Sequence, residues 1–111
     1  MRQPGSPAAA AADAVHFELF STSFCGACRQ TRMALNRVLQ LVPGSTLTEL
    51  DVAGAPAHAE SLAIEHTPTT IIRDTEGREV YRAVGVPSLP QILVATARAR
   101  SGTPTTEGAS Q

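Results

Sequence analysis

Two cysteines, three positions apart, are the residues of this chain best suited to chemistry. They lie in Cys25-Gly26-Ala27-Cys28, and the chain contains no other cysteine. The pair follows a strand-like run and precedes a helical pattern, so we place Cys25 at the start of a helix. There, unpaired backbone N–H groups and the positive end of the helix dipole stabilise a thiolate. Cys28 lies one turn further on, within reach of a mixed disulfide formed by Cys25. This spacing indicates thiol–disulfide exchange.

A structural zinc site is the main alternative use of a C-x-x-C pair. Such a site needs two further ligands, and the chain has no second cysteine pair. Its histidines, His16, His58 and His66, do not have the H-x3–5-H spacing of zinc sites. If the two cysteines were inert core residues, their three-residue spacing at a strand-to-helix junction would be unexplained. We therefore predict redox chemistry carried by the cysteines themselves, without a metal or another cofactor.

Composition limits the class of protein. The chain has 111 residues, 42% of them hydrophobic, which suits one small domain with a modest core. Lys and Arg total 9 against 10 Asp and Glu, and the arginines are dispersed, so no basic surface for nucleic acid is predicted. No apolar run is long enough to span a bilayer. We expect a monomer that binds neither nucleic acid nor membrane.

The two ends of the chain differ in composition from its middle. Residues 1–14 are rich in Ala and Pro, and we predict a flexible leader. Its Ala-Ala-Asp-Ala end leaves an export signal open as an alternative. Residues 15–100 form the predicted domain, and residues 101–111, rich in Thr, Gly and Ser, form a predicted disordered tail.

The middle segment alternates strand and helix patterns. Period-two alternation and β-branched or aromatic content indicate strands, whereas apolar residues at helical spacing indicate helices. The predicted strands are 15–22, 46–52, 69–73 and 78–84, and the predicted helices begin at the cysteines, at Pro56 and at Ser88. Gln91 stands in capping-box position to Ser88, and Asp74 to Gly77 form the turn of a hairpin. The prediction is an α/β fold: a compact four-stranded mixed sheet in the order β-α-β-α-β-β-α, flanked by three helices.

Several separated motifs carry a resemblance to a known family. Phe24-Cys25-Gly26-Ala27-Cys28-Arg29 is similar to an aromatic-C-G-P-C-basic signature, with Ala27 where proline is usual. Thr67-Pro68-Thr69 is similar to the Ile/Thr-Pro-Thr segment of the same family, and the interval from Pro56 to Pro68 also agrees. Over about residues 15–99 the chain resembles the thioredoxin family, in a short form that lacks the family's first strand and helix.

The resemblance implies roles for individual residues. Cys25 is the expected nucleophile and Cys28 the resolving cysteine of a protein-disulfide reductase-like oxidoreductase. Pro68 is expected to be cis beside the disulfide, with the backbone of Thr67 pairing with an extended substrate. The expected substrate-binding residues are Phe24, Gly26, Ala27, Thr67, Pro68 and Gly85. The expected partners are protein disulfides and a thioredoxin-reductase-like or other dithiol reductant. Separately, the single cysteine pair and the lack of a convincing export signal favour the cytoplasm and a reducing role.

The chain also departs from the family pattern. Leu19 stands where the family has a buried Asp, and Glu49 stands where it has a Lys. We predict that Glu49 is buried near Cys28, has a raised pKa and accepts the proton of that thiol; the alternative is a solvent-facing Glu49 on an edge strand. Ser21 replaces a common Trp, which predicts a more open groove. His66 either favours the Cys25 thiolate or is a surface residue at a helix end.

These departures keep a second function open. A protein with this fold could act as a binding or redox-sensing module with little turnover, in which the cysteine pair senses redox state or binds a metal. Retention of both cysteines favours the oxidoreductase. Loss of the usual Asp and Trp favours the binding module.

Overall fold

The computed structural model describes residues 14–101. Its strands are β1 (Val15–Ser21), β2 (Ser45–Asp51), β3 (Thr69–Arg73) and β4 (Glu79–Val84). They form one mixed sheet in the order β2-β1-β3-β4, in which β1 is parallel to β2 and antiparallel to β3, and β4 is antiparallel to β3.

Three helices connect and cover this sheet. They are α1 (Gly26–Leu41), α2 (Pro56–Ser61) and α3 (Leu89–Ser101). Pro56 occupies the first turn of α2, where its missing N–H costs nothing. Ser88 and Gln91 exchange side-chain to backbone hydrogen bonds ahead of α3, which confirms the predicted capping box. The predicted order and the four-stranded mixed sheet with three helices are confirmed.

The larger core lies between the sheet and helices α1 and α3. Alternate residues of β1 point to this side because side chains of a strand alternate between its faces. Phe17 and Leu19 are fully buried there with Leu35 and Val38 of α1 and Ile92 of α3. Burying one such side chain stabilises the fold by about 1.5–3 kcal/mol. This packing fixes α1 against β1, so that the start of α1 lies at the end of β1.

The opposite face of the sheet carries α2 and a charged network. Phe20 packs with Ala59 and Ile71 in a smaller apolar cluster. Beside it, the side chain of Glu18 is only 11% exposed and accepts hydrogen bonds from Arg73 and His58, at 3.0 and 2.9 Å. A carboxylate that is nearly buried needs such partners, because an unpaired buried charge is costly. These two hydrogen-bonding partners therefore let Glu18 remain in the sheet.

The ends of the elements agree with the sequence patterns to within a few residues. Strand β3 coincides with its prediction, β2 begins and ends one residue earlier, and β4 begins one residue later. The Asp74 carboxylate accepts the backbone N–H groups of Glu76 and Arg78, and Gly77 supplies a φ of 85°, so the hairpin turn forms as predicted. The predicted leader and tail lie outside the described residues, except for Ala14 and Ser101. Within residues 14–101, every helix is too short or too polar to cross a membrane.

Candidate functional site

The two cysteines form a disulfide at the start of α1. Their Cα atoms are 5.2 Å apart, and the first helical residue is Gly26. Cys25 is the N-cap, with extended backbone angles, and its Sγ accepts the backbone N–H of Cys28 at 3.1 Å. An N-cap side chain normally uses an oxygen for this bond. Here a sulfur occupies the position, so the helix end that stabilises an anion faces Cys25.

The two sulfur-bearing residues differ in accessibility. Cys25 is half-buried, whereas Cys28 is fully buried against the sheet. Attack on an external disulfide requires a sulfur that a substrate can reach, and resolution requires one within reach of the first. This asymmetry suits Cys25 for attack and Cys28 for resolution.

The Thr67-Pro68 segment lies next to the end of β1. Phe20 is paired with Thr69 in the antiparallel register, so the residues before β3 adjoin those after β1. The hydroxyls of Thr22 and Thr67 are 3.4 Å apart. The Thr67-Pro68 peptide bond is cis, as the resemblance implied. The carbonyl of Pro68 accepts the N–H of Gly85 at 2.8 Å, and Gly85 has a φ of 88° that suits glycine.

The other expected substrate-binding residues surround Cys25. Phe24 is fully exposed and has a positive φ of 56°, which turns the chain between β1 and α1. Gly26 and Ala27 are exposed in the first turn of α1. Thr22 borders both the cavity beside Cys25 and a smaller cavity beside Thr67. The structure therefore brings the expected residues to one end of the sheet.

The pKa of Glu49 is shifted in the direction opposite to the one predicted from the sequence. Its carboxylate accepts hydrogen bonds from the guanidinium of Arg32 and, at 2.8 Å, from the hydroxyl of Ser21. The hydrogen bonds from Arg32 lower the pKa of Glu49 and outweigh the effect of burial. The prediction of a raised pKa is therefore wrong. A carboxylate with a lowered pKa is a weak proton acceptor, and a role of Glu49 toward Cys28 stays a prediction.

Comparisons with known proteins agree with this geometry. The chain is 31% identical over 67 residues to a thioredoxin of Chlamydia muridarum (strain MoPn / Nigg), and 30% identical over 67 residues to a thioredoxin of Chlamydia trachomatis serovar D. Each alignment covers 60% of this chain and 65% of the relative. The chain thus spans less than two thirds of the length of the curated relatives that it matches. Its sequence resembles these thioredoxins.

Solved structures show the same fold. Chloroplastic thioredoxin z superposes with a TM-score of 0.71 at 22% identity, over 89% of this chain and 92% of that one. Thioredoxin of Fasciola hepatica superposes with a TM-score of 0.68 at 20% identity, over 78% of this chain and 82% of that one. No protein-family model matches the sequence. The support for the thioredoxin-like fold comes from the sequence relatives and the solved structures.

A polar group that the sequence did not single out lies next to Leu19 in the sheet. Thr70 pairs with Leu19 across the β1–β3 ladder, so both side chains point to the α1 side of the sheet. The hydroxyl of Thr70 is buried and has no hydrogen-bond partner among residues 14–101. Leu19 offers no polar atom to bond it. This orphaned hydroxyl is an energetic cost in the disulfide form.

His66 is exposed, but it does not lie at a helix end, which was one of the two interpretations of this residue. Helix α2 ends at Ser61, five residues earlier, so His66 lies in the connection to β3. It is exposed and borders the small cavity of about 180 Å³ that Thr67 also lines. Its carbonyl accepts the hydroxyl of Thr69 at 2.6 Å. An influence of His66 on the Cys25 thiolate stays a prediction.

Two arginines of α1 lie near Cys25. Arg29 and Arg32 both line the cavity beside Cys25. The place of Arg32 at this cavity follows only when its position on α1 is combined with the parallel pairing that places β2 next to β1. In residues 14–101, no three His, Cys, Asp or Glu side chains gather closely enough to hold a metal ion. The site brings together the two sulfurs and the charged groups that line the cavity beside Cys25.

Proposed function

We propose that this thioredoxin-like protein is a thiol–disulfide oxidoreductase that reduces protein disulfides. The observation that carries the proposal is the Cys25–Cys28 disulfide at the start of α1, with one sulfur-bearing residue accessible and the other buried. The curated relatives that the chain resembles in sequence are named thioredoxin, which supports the proposal. Protein disulfides are the proposed substrates.

The proposed reaction proceeds in two exchanges. The Cys25 thiolate attacks one sulfur of the substrate disulfide, a new S–S bond forms, and the other substrate sulfur leaves as a thiolate and takes up a proton. The Cys28 thiolate then attacks the Cys25 sulfur, which closes the Cys25–Cys28 disulfide and releases the second substrate thiol. Two electrons pass from the protein dithiol to the substrate. A dithiol reductant, supplied in the cell by a reductase, returns the protein to its dithiol form.

The features around Cys25 support its role as the nucleophile. Its sulfur already accepts the N–H of Cys28, and α1 has no acidic residue in its first turn that would disfavour a thiolate. The exposed edge of the site, near Thr67, offers backbone groups to an extended substrate. We propose that the segment before Pro68 binds the substrate main chain.

The direction of exchange is proposed from the redox setting. A catalytic cysteine pair is the common exception to the rarity of cytosolic disulfides, so we propose a reducing role in the cytoplasm. Equilibration of the Cys25–Cys28 disulfide with a glutathione buffer tests the direction. A potential near the value of about −270 mV given for thioredoxin supports a reductant. A value near about −120 mV indicates an oxidant and contradicts the reducing role.

Turnover tests the activity itself. Reduction of insulin by dithiothreitol is followed by turbidity with catalytic amounts of the protein and of its Cys25→Ser variant. We expect acceleration by the native protein and none by the variant, since the nucleophile is lost. Equal rates with both proteins would contradict the proposal and favour a binding module that uses the same fold.

A further inference from the structure

A charged cavity opens beside Cys25, on the side bordered by β2. Its volume is about 470 Å³, within the range of about 300–1,000 Å³ typical of sites for small organic ligands. Ser21 stands at the end of β1 where it borders this space, and its small side chain leaves room that a large one would fill. The cavity therefore has the size to accept a group attached to the sulfur that Cys25 attacks.

Four charged residues line the cavity. Two of them form an ion pair with each other, and the other two can contact a ligand. Arg32 and Glu49 bond each other, so neither is free for a ligand without breaking that pair. Arg29 forms no ion pair or side-chain hydrogen bond with any residue in the described part of the chain. Its guanidinium lies 4.0 Å from the position that a Cβ on Gly26 would take, close to the first turn of α1.

Asp51 is the available anion. It ends β2, is exposed, and borders the same cavity as Arg29. One of its carboxylate oxygens accepts the N–H of Ala53 at 2.8 Å, and the other has no partner among residues 14–101. The cavity thus presents one unpaired cation and one partly free carboxylate near the nucleophile. A ligand that carries both charges complements it.

We propose that this cavity binds the zwitterionic half of a small cysteinyl disulfide, of which glutathione disulfide is the probe. The ligand's carboxylate is bound by Arg29 and its ammonium group by Asp51 while the Cys25 thiolate attacks the adjacent sulfur. The S–S bond of the ligand breaks, a Cys25 mixed disulfide forms, and one thiol leaves. Cys28 then releases the second thiol and closes the protein disulfide. The inference rests on the proposed exchange function and names a second substrate class for it.

The test measures how fast the reduced protein is oxidised by three disulfides. Glutathione disulfide is zwitterionic with excess carboxylates, bis(2-hydroxyethyl) disulfide is neutral, and cystamine is cationic. The ratio of the rate constants for glutathione disulfide and the neutral disulfide cancels any effect of a variant on the Cys25 thiolate. We expect Arg29→Gln to lower this ratio about tenfold, because a hydrogen-bonded ion pair with the carboxylate is lost. Asp51→Asn should lower it about threefold.

Arg37→Gln is the matched control. Arg37 is exposed on the same helix, the substitution removes the same charge, and it does not border the cavity. Its ratio should equal that of the native protein. For cystamine, Arg29→Gln should not reduce the rate relative to the neutral disulfide, since Arg29 repels a cation.

The outcomes separate the inference from the proposed function. If Arg29→Gln leaves the ratio unchanged, or if Arg37→Gln lowers it equally, the cavity does not recognise the ligand and the inference is overturned. If the native protein fails to react even with the neutral disulfide, the exchange function fails instead. A glutathionylated peptide, run beside free glutathione disulfide, distinguishes a protein-bound source of the cysteinyl group from a free one. Dependence on Arg29 with either substrate supports the inference.

Discussion

Arg32 of α1 and Glu49 of β2 form a two-pronged ion pair at the cavity that Cys25 also lines. The Arg32 Nη2 donates to Glu49 Oε2 at 2.6 Å, and Nε donates to Oε1. The Glu49 side chain is 26% exposed and that of Arg32 is 40% exposed. The pair joins the helix that carries the cysteines to the edge strand, and it keeps Glu49 ionised.

The first prediction concerns this ion pair. Glu49→Gln should slow the release of a reduced substrate by less than about threefold, because a carboxylate with a lowered pKa is a weak proton acceptor for Cys28. The free energy of unfolding should fall by about 0.5 kcal/mol, as for other partly exposed ion pairs. Single-turnover release and chemical denaturation measure the two effects. A loss of tenfold or more, with a shifted pH profile, would establish Glu49 as the proton acceptor.

The second prediction concerns the network on the opposite face of the sheet. Glu18→Gln should lower the free energy of unfolding at pH 7 by about 2 kcal/mol, because the hydrogen bonds from Arg73 and His58 to a nearly buried carboxylate are lost. Glu79→Gln is the control: Glu79 pairs with Arg82 but its side chain is 33% exposed, so about 0.5 kcal/mol is expected. Equal losses in urea denaturation would contradict the argument.

The third prediction is the pH dependence of stability. Burial alone would raise the pKa of Glu18, but hydrogen bonds from His58 and Arg73 outweigh it, and its pKa is lowered from the ordinary value of 4.5. A group with a lowered folded pKa stabilises the protein above its unfolded pKa, and this contribution is lost as pH falls through the folded pKa. The unfolding free energies of the native protein and of Glu18→Gln should therefore converge below about pH 4.5. A gap that stays constant on acidification would show that ionisation of Glu18 is not its cause.

The fourth prediction concerns the orphaned hydroxyl of Thr70. Thr70→Val keeps the shape of the side chain and removes an unpartnered buried polar atom. We expect the disulfide form to gain about 1 kcal/mol in its free energy of unfolding. Thr96→Val is the control, because the Thr96 hydroxyl is buried but donates to the carbonyl of Ile92 at 2.7 Å. Thermal unfolding should show a gain only for Thr70→Val, and a loss there would mean that the hydroxyl has a partner such as water.

The fold was predictable because local patterns and long-range pairing agree. The alternation of Val15, Phe17 and Leu19 places one face of β1 in the core, and the predicted helix after the cysteines supplies the residues that cover it. The hairpin followed from the Asp and Gly of its turn. Short motifs of fixed geometry, such as the capping box before α3, were also readable, because their donors and acceptors lie within four residues of one another.

The charged part of the site was less predictable. The sequence placed Glu49 near Cys28 with a raised pKa, but its ionisation depends on Arg32, which is distant in sequence and meets it only through the crossover packing. Likewise, the missing partner of Thr70 depends on Leu19 opposite it in the sheet. Periodicity gives the face on which a residue lies, whereas pKa values and hydrogen-bond satisfaction depend on which side chains share that face.

Trapping of a mixed disulfide tests the central claim most directly. Cys28→Ser and Cys25→Ser variants are incubated with a protein disulfide, and the adducts are identified by mass spectrometry. We predict a covalent adduct on Cys25 in Cys28→Ser, because Cys25 is accessible and can no longer be resolved, and no adduct on the buried Cys28 in Cys25→Ser. Adducts at equal rates on both cysteines, or on neither, would contradict the account.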